Sequence, residues 1–353
     1  MHDEKNKRLA GLDVLRGLCA LIVVFFHYTV DYSQKFGWVD GGRLAFQIPL
    51  GSMGVRIFFV ISGFAILMSL ERSVSFAEFA KNRASRLYPA YLFAILLTSI
   101  FIFCLDYNPR QVGLIDIPYN LFFTAPLLGK VYIDAPYWTL THEVFFYALI
   151  GSLFYLLKAQ KVILTIFVWL IFSTVWNLFG ADEHYFDNFT KRSMVSVLFN
   201  TQYAYLFSLG MLLYLIYKGE RGFLLFVTFV FSLVAAGFAE WPTNGHVFLI
   251  SQSLKALGYS VIVFFFARIK SGIFSPNALV YVGQCSYSIY LVHETIGYFI
   301  IAKSQSELNF SPILSIFFAA AVVMLIAHFM RSFIEVPGQL FMKRFWSKAR
   351  FGA

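Results

Sequence analysis

The chain has 353 residues, of which 59% are hydrophobic, 20% aromatic and only 13% charged, with a formal net charge of +9. Soluble domains carry about 25% charged residues, so this composition excludes a soluble globular protein and indicates a polytopic membrane protein. The Lys and Arg residues lie in short segments between apolar runs, which argues against a nucleic-acid-binding surface. The three cysteines show neither the spacing of a metal site nor a disulfide framework.

Ten apolar segments are long enough to cross a hydrocarbon core of about 30 Å. The sequence therefore predicts an all-α membrane protein with about ten transmembrane helices, forming one domain over residues 1–353. The first segment follows a basic stretch but lacks a small-residue cleavage site, so we interpret it as an uncleaved span. The predicted spans are approximately 12–32, 53–70, 87–106, 137–157, 162–179, 198–217, 223–239, 247–267, 280–303 and 312–333.

The distribution of Lys and Arg predicts the orientation in the membrane. With a cytoplasmic N-terminus, 18 of these residues lie in inner-side segments and 7 in outer-side segments. The positive-inside rule then places both termini in the cytoplasm.

Three segments outside the spans carry further predictions. Inner residues 71–86 are expected to form a short surface helix, and the apolar piece 120–128 of outer loop 107–136 is expected at the interface or re-entering the membrane. The short basic tail after residue 333 suits a helix on anionic lipid, and we expect no separate extramembrane domain.

The first span carries Asp13, Arg16 and His27, although ionisable groups inside a bilayer are costly and usually functional. Arg16 and His27 are eleven residues apart, so they share one helix face and lie about 16 Å apart along the axis. Asp13 can pair with Arg16. One helix face therefore presents a cation near the inner surface and a titratable imidazole closer to the outer surface.

The fourth span carries Glu143 at a depth similar to that of His27. A carboxylate beside an imidazole fixes the tautomer and raises its basicity, so we predict that Glu143 orients His27 as a general base. The alternative is that Glu143 and His142 face water on the outer side. His142 points about 100° away from Glu143 and is the weaker candidate.

Arg83 and Arg86 lie one turn apart at the inner start of the third span. With Arg16 they form a group of three arginines that is suited to bidentate binding of phosphates. For Arg83 and Arg86 the alternative is the ordinary snorkelling of basic side chains at an inner membrane surface.

Other residues within the spans are candidates for lining a cavity. Ser62 lies near the middle of the second span, where close helix packing at Gly63 is the alternative. Lys255 lies near the centre of the eighth span, and His293 lies at mid-depth in the ninth, with hydrogen-bonded packing as its alternative. Trp138 completes this group. No metal-binding motif or phosphate-binding glycine loop is present, so we predict no metal site.

The residues above fall into motifs that resemble those of the acyltransferase-3 family of membrane proteins. The motifs follow the family order across the whole chain, and the absence of a C-terminal esterase-like domain, which some relatives carry, is a departure. Glu335, in the last motif, is expected to be a structural partner of a nearby cation. The motifs are R-x10-H at Arg16 and His27, GVRIFFVISGF, RASRLYPAY with Arg83 and Arg86, W-x-L-x-x-E at Trp138 to Glu143, YSIYLVHE with His293, and IEVPG with Glu335.

The resemblance implies an integral-membrane O-acyltransferase, with acetyl as the expected acyl group. The donor would be cytoplasmic acyl-coenzyme A as a co-substrate, with no bound cofactor, and the acceptor a hydroxyl of a cell-surface or lipid-linked glycan, as in O-antigen modification. Arg16, Arg83 and Arg86 would hold the nucleotide end of the donor. His27 would act as general base or accept the acyl group covalently. The expected location is the bacterial inner membrane, and the oligomeric state stays open.

A transporter or flippase for a lipid or glycan is the second interpretation. Arg16, Lys255 and His27 would then line a path through the membrane. The sequence shows no inverted repeat and no paired broken spans, which are typical of such transporters. Consumption of acetyl-coenzyme A in the presence of an acceptor distinguishes the two interpretations.

Overall fold

The computed structural model describes residues 9–38, 44, 46–157, 161–179, 191–239, 247–269 and 277–348. Within these ranges the chain is helical and contains no β-strand. Seven helices of this part are long and apolar enough to cross a membrane. The predicted class, an all-α polytopic membrane protein, is confirmed.

Fifteen α-helices are numbered here in chain order, with two π-helical segments that continue α1 and α14. They are α1 (Ala10–Phe26) with a π-helical turn (His27–Asp31), α2 (Tyr32–Phe36), α3 (Gly51–Arg72), α4 (Phe76–Phe103), α5 (Ile117–Leu121), α6 (Tyr137–Leu156), α7 (Val162–Phe179), α8 (Lys191–Leu198), α9 (Ala204–Tyr217), α10 (Phe223–Phe238), α11 (Val247–Arg268), α12 (Asn277–Val292), α13 (Thr295–Leu308), α14 (Pro312–Phe329) with a π-helical turn (Met330–Glu335), and α15 (Val336–Lys348).

The observed helices follow the predicted spans with one clear difference. Seven predicted spans coincide with the seven long apolar helices, and the sixth and seventh coincide with the shorter apolar helices α9 and α10. The ninth predicted span is not one helix, because α12 ends at Val292 and α13 begins at Thr295. The total of ten spans and the side of each terminus stay predictions.

The inner segment predicted as a separate surface helix is instead the beginning of α4. The side chain of Ser75 caps this helix by accepting a hydrogen bond from the backbone N–H of Glu78 at 3.2 Å. One uninterrupted helix therefore carries Arg83 and Arg86, and these side chains have a rigid support.

The C-terminal helix α15 continues from α14 and packs on α4, where Gly338 lies against Pro89. The preceding π-helical turn holds Glu335, whose carboxylate accepts a hydrogen bond from Ser288 at 2.8 Å and lies 4.0 Å from Arg331. The predicted structural pairing of Glu335 with a cation is confirmed.

The loop between α4 and α6, predicted on the outer side, folds onto the helix bundle through its apolar piece. Phe123 is buried and stacks on Tyr91 of α4, with ring centroids 4.3 Å apart. Phe122 and Leu128 are exposed, which is the arrangement of a segment at the membrane interface.

Helix α9 forms the centre of one half of the core, since all its residues from Ala204 to Leu215 are buried. It crosses α3 at two glycines. A Cβ atom at Gly63 would collide with the carbonyl oxygen of Phe207, and one at Gly210 would collide with that of Val60. The close packing considered for Gly63 is therefore observed, because only glycine lets these two backbones approach so closely.

We expect Gly63→Ala and Gly210→Ala each to destabilise the protein by about 1–3 kcal/mol, the usual cost of overpacking. The matched control is Gly258→Ala in α11, where a Cβ atom meets nothing within 4 Å. Thermal unfolding of the detergent-solubilised protein measures the effect. Equal midpoints for all three variants would contradict the close crossing of α3 and α9.

The break between α12 and α13 leaves backbone groups that must be satisfied within the protein. The Tyr28 hydroxyl donates to the carbonyl oxygen of His293 at 2.8 Å, and the Tyr137 hydroxyl donates to that of Leu291 at 3.2 Å. Side chains from α1 and α6 thus stabilise an interruption that otherwise costs several kcal/mol in a membrane.

Asp134, in the outer loop just before α6, caps the other side of this break. Its Oδ1 atom accepts hydrogen bonds from the backbone N–H and the hydroxyl of Thr295, at 3.2 and 2.7 Å. Its Oδ2 atom is buried without a hydrogen-bond partner. Burial and, secondarily, the nearby charge of Glu294 raise the pKa of Asp134 to about 7.

This raised pKa makes stability depend on pH. Between about pH 4, the usual pKa of an aspartate, and about pH 7, the folded state retains a proton that the unfolded state loses. The free energy of unfolding therefore decreases as the pH rises through this window and levels off above it. Asp134→Asn should flatten the curve of unfolding midpoint against pH. The exposed Asp106→Asn is the control, and an unchanged slope in Asp134→Asn would contradict the assignment.

Candidate functional site

A cavity open to solvent lies between α1, α3, α4, α6 and α12. Apolar side chains of α3 form much of its wall, and the polar lining comes from the other helices and Ser62. The polar and aromatic lining residues used below are Arg16, Ser62, Arg83, Arg86, Thr139, Glu143, Tyr147 and Tyr290.

Three arginines give the cavity a net positive charge. Arg16 forms an ion pair with Asp13 at 3.5 Å. The guanidinium of Arg83 lies over the rings of Phe79 and Tyr147, and its Nε atom is enclosed without a hydrogen-bond partner. An enclosed, unsatisfied guanidinium N–H is costly, so this side of the cavity is suited to an anionic ligand.

Asp13, a possible cavity-lining residue by the sequence, is not among the residues that line this cavity. It is buried, with 1% of the residue exposed. Its position supports a role as the partner that holds Arg16 in place.

Glu143 lies in the wall of this cavity rather than beside His27. Its Oε1 atom accepts hydrogen bonds from Ser62 at 2.7 Å and from Tyr147. The prediction that Glu143 orients His27 is wrong, because the two groups have different hydrogen-bond partners. The alternative of two groups facing outer water also fails for His142, which is buried.

His27 lies in a second polar cluster, which belongs to α1, the helix break and α13. Its Nδ1 atom lies 3.0 Å from the Tyr298 hydroxyl, 3.5 Å from Asp31 Oδ2 and 3.7 Å from Glu294 Oε2. Tyr298 in turn donates a hydrogen bond to Asp31. The carboxylates beside the imidazole are therefore Asp31 and Glu294.

Lys35 bridges these two carboxylates, with its Nζ atom 2.7 Å from Asp31 and 3.1 Å from Glu294. His27, Asp31 and Glu294 present ligand atoms within 4.8 Å of one another, a spacing that a metal ion also uses. The lysine ammonium already contacts both carboxylates and offsets their charge. These residues therefore fit a histidine held beside two ion-paired carboxylates better than a metal centre.

Tyr290 and His293 separate the cavity from His27. Tyr290 lines the cavity, and its hydroxyl lies 2.9 Å from that of Thr139. The Tyr290 ring contacts the His293 ring at 5.5 Å, which contacts the His27 ring edge-on at 4.9 Å. The rings of Tyr290 and His293 thus connect the cavity to the polar cluster around His27.

The remaining candidates from the sequence have different positions. Ser62 lines the cavity as predicted. His293 is buried outside the lining, with Nδ1 2.8 Å from the Tyr290 carbonyl oxygen, so its packing alternative describes it better. Trp138 is also outside the lining and packs edge-on against Phe59. Lys255, on α11, is exposed and is not among the residues that line this cavity.

Sequence reasoning missed four side chains that the structure brings to these two regions: Asp31, Tyr147, Glu294 and Tyr298. Asp31 follows His27 by four residues, a spacing that places both on one helix face and was a readable signal. Glu294 and Tyr298 reach His27 only because the ninth span is broken, which no pattern in the sequence indicated.

Comparison with known proteins gives a family match over most of the chain. Residues 9–330 match the family described as Acyltransferase domain, acyltransferase-3. The chain is 24% identical over 306 residues to "Putative acetyltransferase ORF330" of Acidianus two-tailed virus, covering 83% of this chain and 84% of that protein. It is 25% identical over 374 residues to "O-acetyltransferase OatA" of Staphylococcus aureus, covering 93% of this chain.

The chain spans 57% of the length of the OatA proteins that it matches. A further relative, "Protein 2 in picA locus" of Rhizobium radiobacter, is 27% identical over 168 residues, 41% of this chain and 81% of that protein. No solved structure matches the chain.

Proposed function

The chain belongs to the acyltransferase-3 family, and we propose that it is an integral-membrane O-acyltransferase with acyl-coenzyme A as donor and a glycan as acceptor. Acetyl is the expected acyl group, and a hydroxyl of a cell-surface or lipid-linked glycan is the expected acceptor. The proposed location is the bacterial inner membrane. The single observation that carries the donor assignment is the cavity with three arginines and the enclosed, unsatisfied Nε atom of Arg83.

The nucleotide end of the donor would bind beside Arg16, Arg83 and Arg86. Guanidinium groups bind phosphates through paired, charge-assisted hydrogen bonds. The distance along α1 from Arg16 to His27, about 16 Å, is comparable with the reach of a pantetheine arm. The thioester would then lie near Tyr290, at the side of the cavity that faces His27.

His27 would act as the general base for the acceptor. Its imidazole takes the proton of the acceptor hydroxyl while that oxygen attacks the thioester carbonyl carbon. The carbon–sulfur bond breaks, the proton passes to the coenzyme A thiolate, and the products are the ester and free coenzyme A. In the covalent variant, His27 first forms an acyl-imidazole and then passes the acyl group to the hydroxyl. Both routes start from neutral His27.

Glu143 would act in the donor cavity. Its carboxylate fixes the hydroxyls of Ser62 and Tyr147 and places a negative charge beside the arginines. This arrangement shapes the wall against which the donor would lie. The proposed catalytic role of Glu143 therefore concerns the donor, and not the orientation of His27.

Acetyl transfer in membranes tests the proposal. Membranes with the full chain receive acetyl-coenzyme A radiolabelled in the acetyl group, and label in the glycan fraction is counted before and after mild base. Base-labile label that requires the chain would support the proposal. A parallel sample labelled in the adenine ring should leave the glycan unlabelled. Uptake of intact label into vesicles, without consumption of acetyl-coenzyme A, would overturn it in favour of a transporter.

A further inference from the structure

We infer that Tyr298 and Asp31 are positioning residues that fix the tautomer of His27, with Lys35 as the counter-ion that holds Asp31. The inference rests on the proposed function, because it concerns the histidine that would act as base. It replaces the predicted partner, Glu143, with a chain of hydrogen bonds that is present in the structure.

The positions of the protons follow from the donors and acceptors. Asp31 Oδ2 lies 2.7 Å from the Lys35 ammonium, which favours an ionised carboxylate that only accepts hydrogen bonds. The Tyr298 hydroxyl therefore donates its one proton to Asp31. His27 Nδ1, 3.0 Å from the same hydroxyl oxygen, must then be the donor of that contact.

The consequence for His27 is a defined tautomer. With the proton on Nδ1, neutral imidazole carries its lone pair on Nε2. Nε2 is therefore the nitrogen that would take the acceptor proton or the acyl group. An imidazole oriented through Nδ1–H by an ionised carboxylate is the arrangement that supports a histidine base in unrelated hydrolases. Here the tyrosine hydroxyl stands between the two groups.

Two irregular segments assemble this chain. The π-helical turn at His27–Asp31, in which the Tyr32 N–H bonds to the His27 carbonyl oxygen, aligns both side chains on one face. The break after Val292 starts α13 at Thr295, which brings Tyr298 against the same face of α1. Residues four apart also share a face in a regular α-helix, so the break is the irregular segment that adds Tyr298 to this pair.

The titratable groups around His27 come from every neighbouring element. Asp31 belongs to the π-helical turn that also holds His27, and Lys35 belongs to α2. His293 and Glu294 lie at the break, and Tyr298 lies in α13. Buried Asp134 lies in the loop before α6. Glu294 Oε2 lies 3.7 Å from His27 Nδ1 and makes no hydrogen bond. Its other oxygen accepts from Lys35, so this lysine limits the competition between Glu294 and the Tyr298–Asp31 chain for the Nδ1 proton.

The tautomer is measurable without any catalytic turnover. The full chain, with ¹⁵N- and ¹³C-labelled histidine, is reconstituted in lipid for solid-state NMR, and the His27→Ala spectrum identifies the signal of His27. We expect a protonated Nδ1 and a non-protonated Nε2 in the wild type. The double variant Tyr298→Phe with Asp31→Asn should show a mixture of both tautomers. A protonated Nε2 in the wild type, or an unchanged signal in the double variant, would overturn the inference.

Kinetics supply a second readout. Tyr298→Phe should lower kcat for acyl transfer by roughly 10–100-fold, less than the 10²–10⁴-fold expected for loss of the general base itself, and leave the KM for acetyl-coenzyme A unchanged. The controls are Tyr119→Phe in the outer loop and the exposed Asp106→Asn. Wild-type kcat in Tyr298→Phe, or a rise in KM alone, would contradict the positioning role. A wild type that transfers no acyl group refutes the proposed function, while the NMR signal still tests the tautomer.

Discussion

His27→Ala should lower the rate of acyl transfer by about 10²–10⁴-fold, the range for loss of a general base, without reducing the amount of folded protein. The loss is expected for both routes, because general-base transfer and the acyl-imidazole intermediate each need the same ring. The rate is measured as base-labile acetyl label incorporated into glycan per amount of folded protein in the membrane.

The matched control is His328→Ala. His328 lies near the end of α14, is exposed and contacts Tyr281 at 2.6 Å, so its removal deletes an imidazole away from the cavity. Acyl transfer at the wild-type rate in both His27→Ala and His328→Ala would contradict the proposed role of His27 as general base or acyl carrier. His293, whose ring lies 4.9 Å from that of His27, would then become the next candidate.

Arg83→Ala and Arg86→Ala should each raise the KM for acetyl-coenzyme A by roughly 10–100-fold, and the double variant by more. A hydrogen bond to a charged group contributes about 1.5–3 kcal/mol, and each 1.4 kcal/mol corresponds to a tenfold change in affinity. We expect kcat at saturating donor to change far less, because these residues would bind a part of the donor remote from the reacting carbon.

The control for the two arginines is Arg72→Ala, which removes an exposed cation at the end of α3. This control shows whether a change in KM comes from a lost contact with the donor phosphates or only from the loss of one positive charge near the membrane. If all three variants show the same KM, Arg83 and Arg86 are ordinary snorkelling residues, and the donor must bind elsewhere.

Much of the architecture was readable because hydrophobic length is a strong signal in membrane proteins. The predicted spans coincide with the observed helices α3, α4, α6 and α7. The grouping of Arg16, Arg83 and Arg86 was also readable, and all three side chains line the cavity. These predictions needed only position along a helix axis.

The partner of His27 was not readable because depth alone does not determine how a helix is rotated about its axis. Glu143 and His27 are predicted at similar depth, but Glu143 faces Ser62 and Tyr147. Lys255 shows the same limit, since a lysine in the middle of a span can be exposed instead of lining this cavity. The break at His293 and Glu294 lies in an apolar run without Pro, so the sequence contained no stop signal.

The interruption between α12 and α13 also has a consequence for how the chain is made. The groups that satisfy it, Tyr28, Asp134 and Tyr137, are all synthesised more than 150 residues earlier. When this segment leaves the ribosome, the parts of the chain that carry these three side chains have already been synthesised. Tyr28→Phe or Tyr137→Phe should therefore impair the membrane insertion of α12 and α13, because these newly made helices have no earlier opportunity to satisfy their backbone groups.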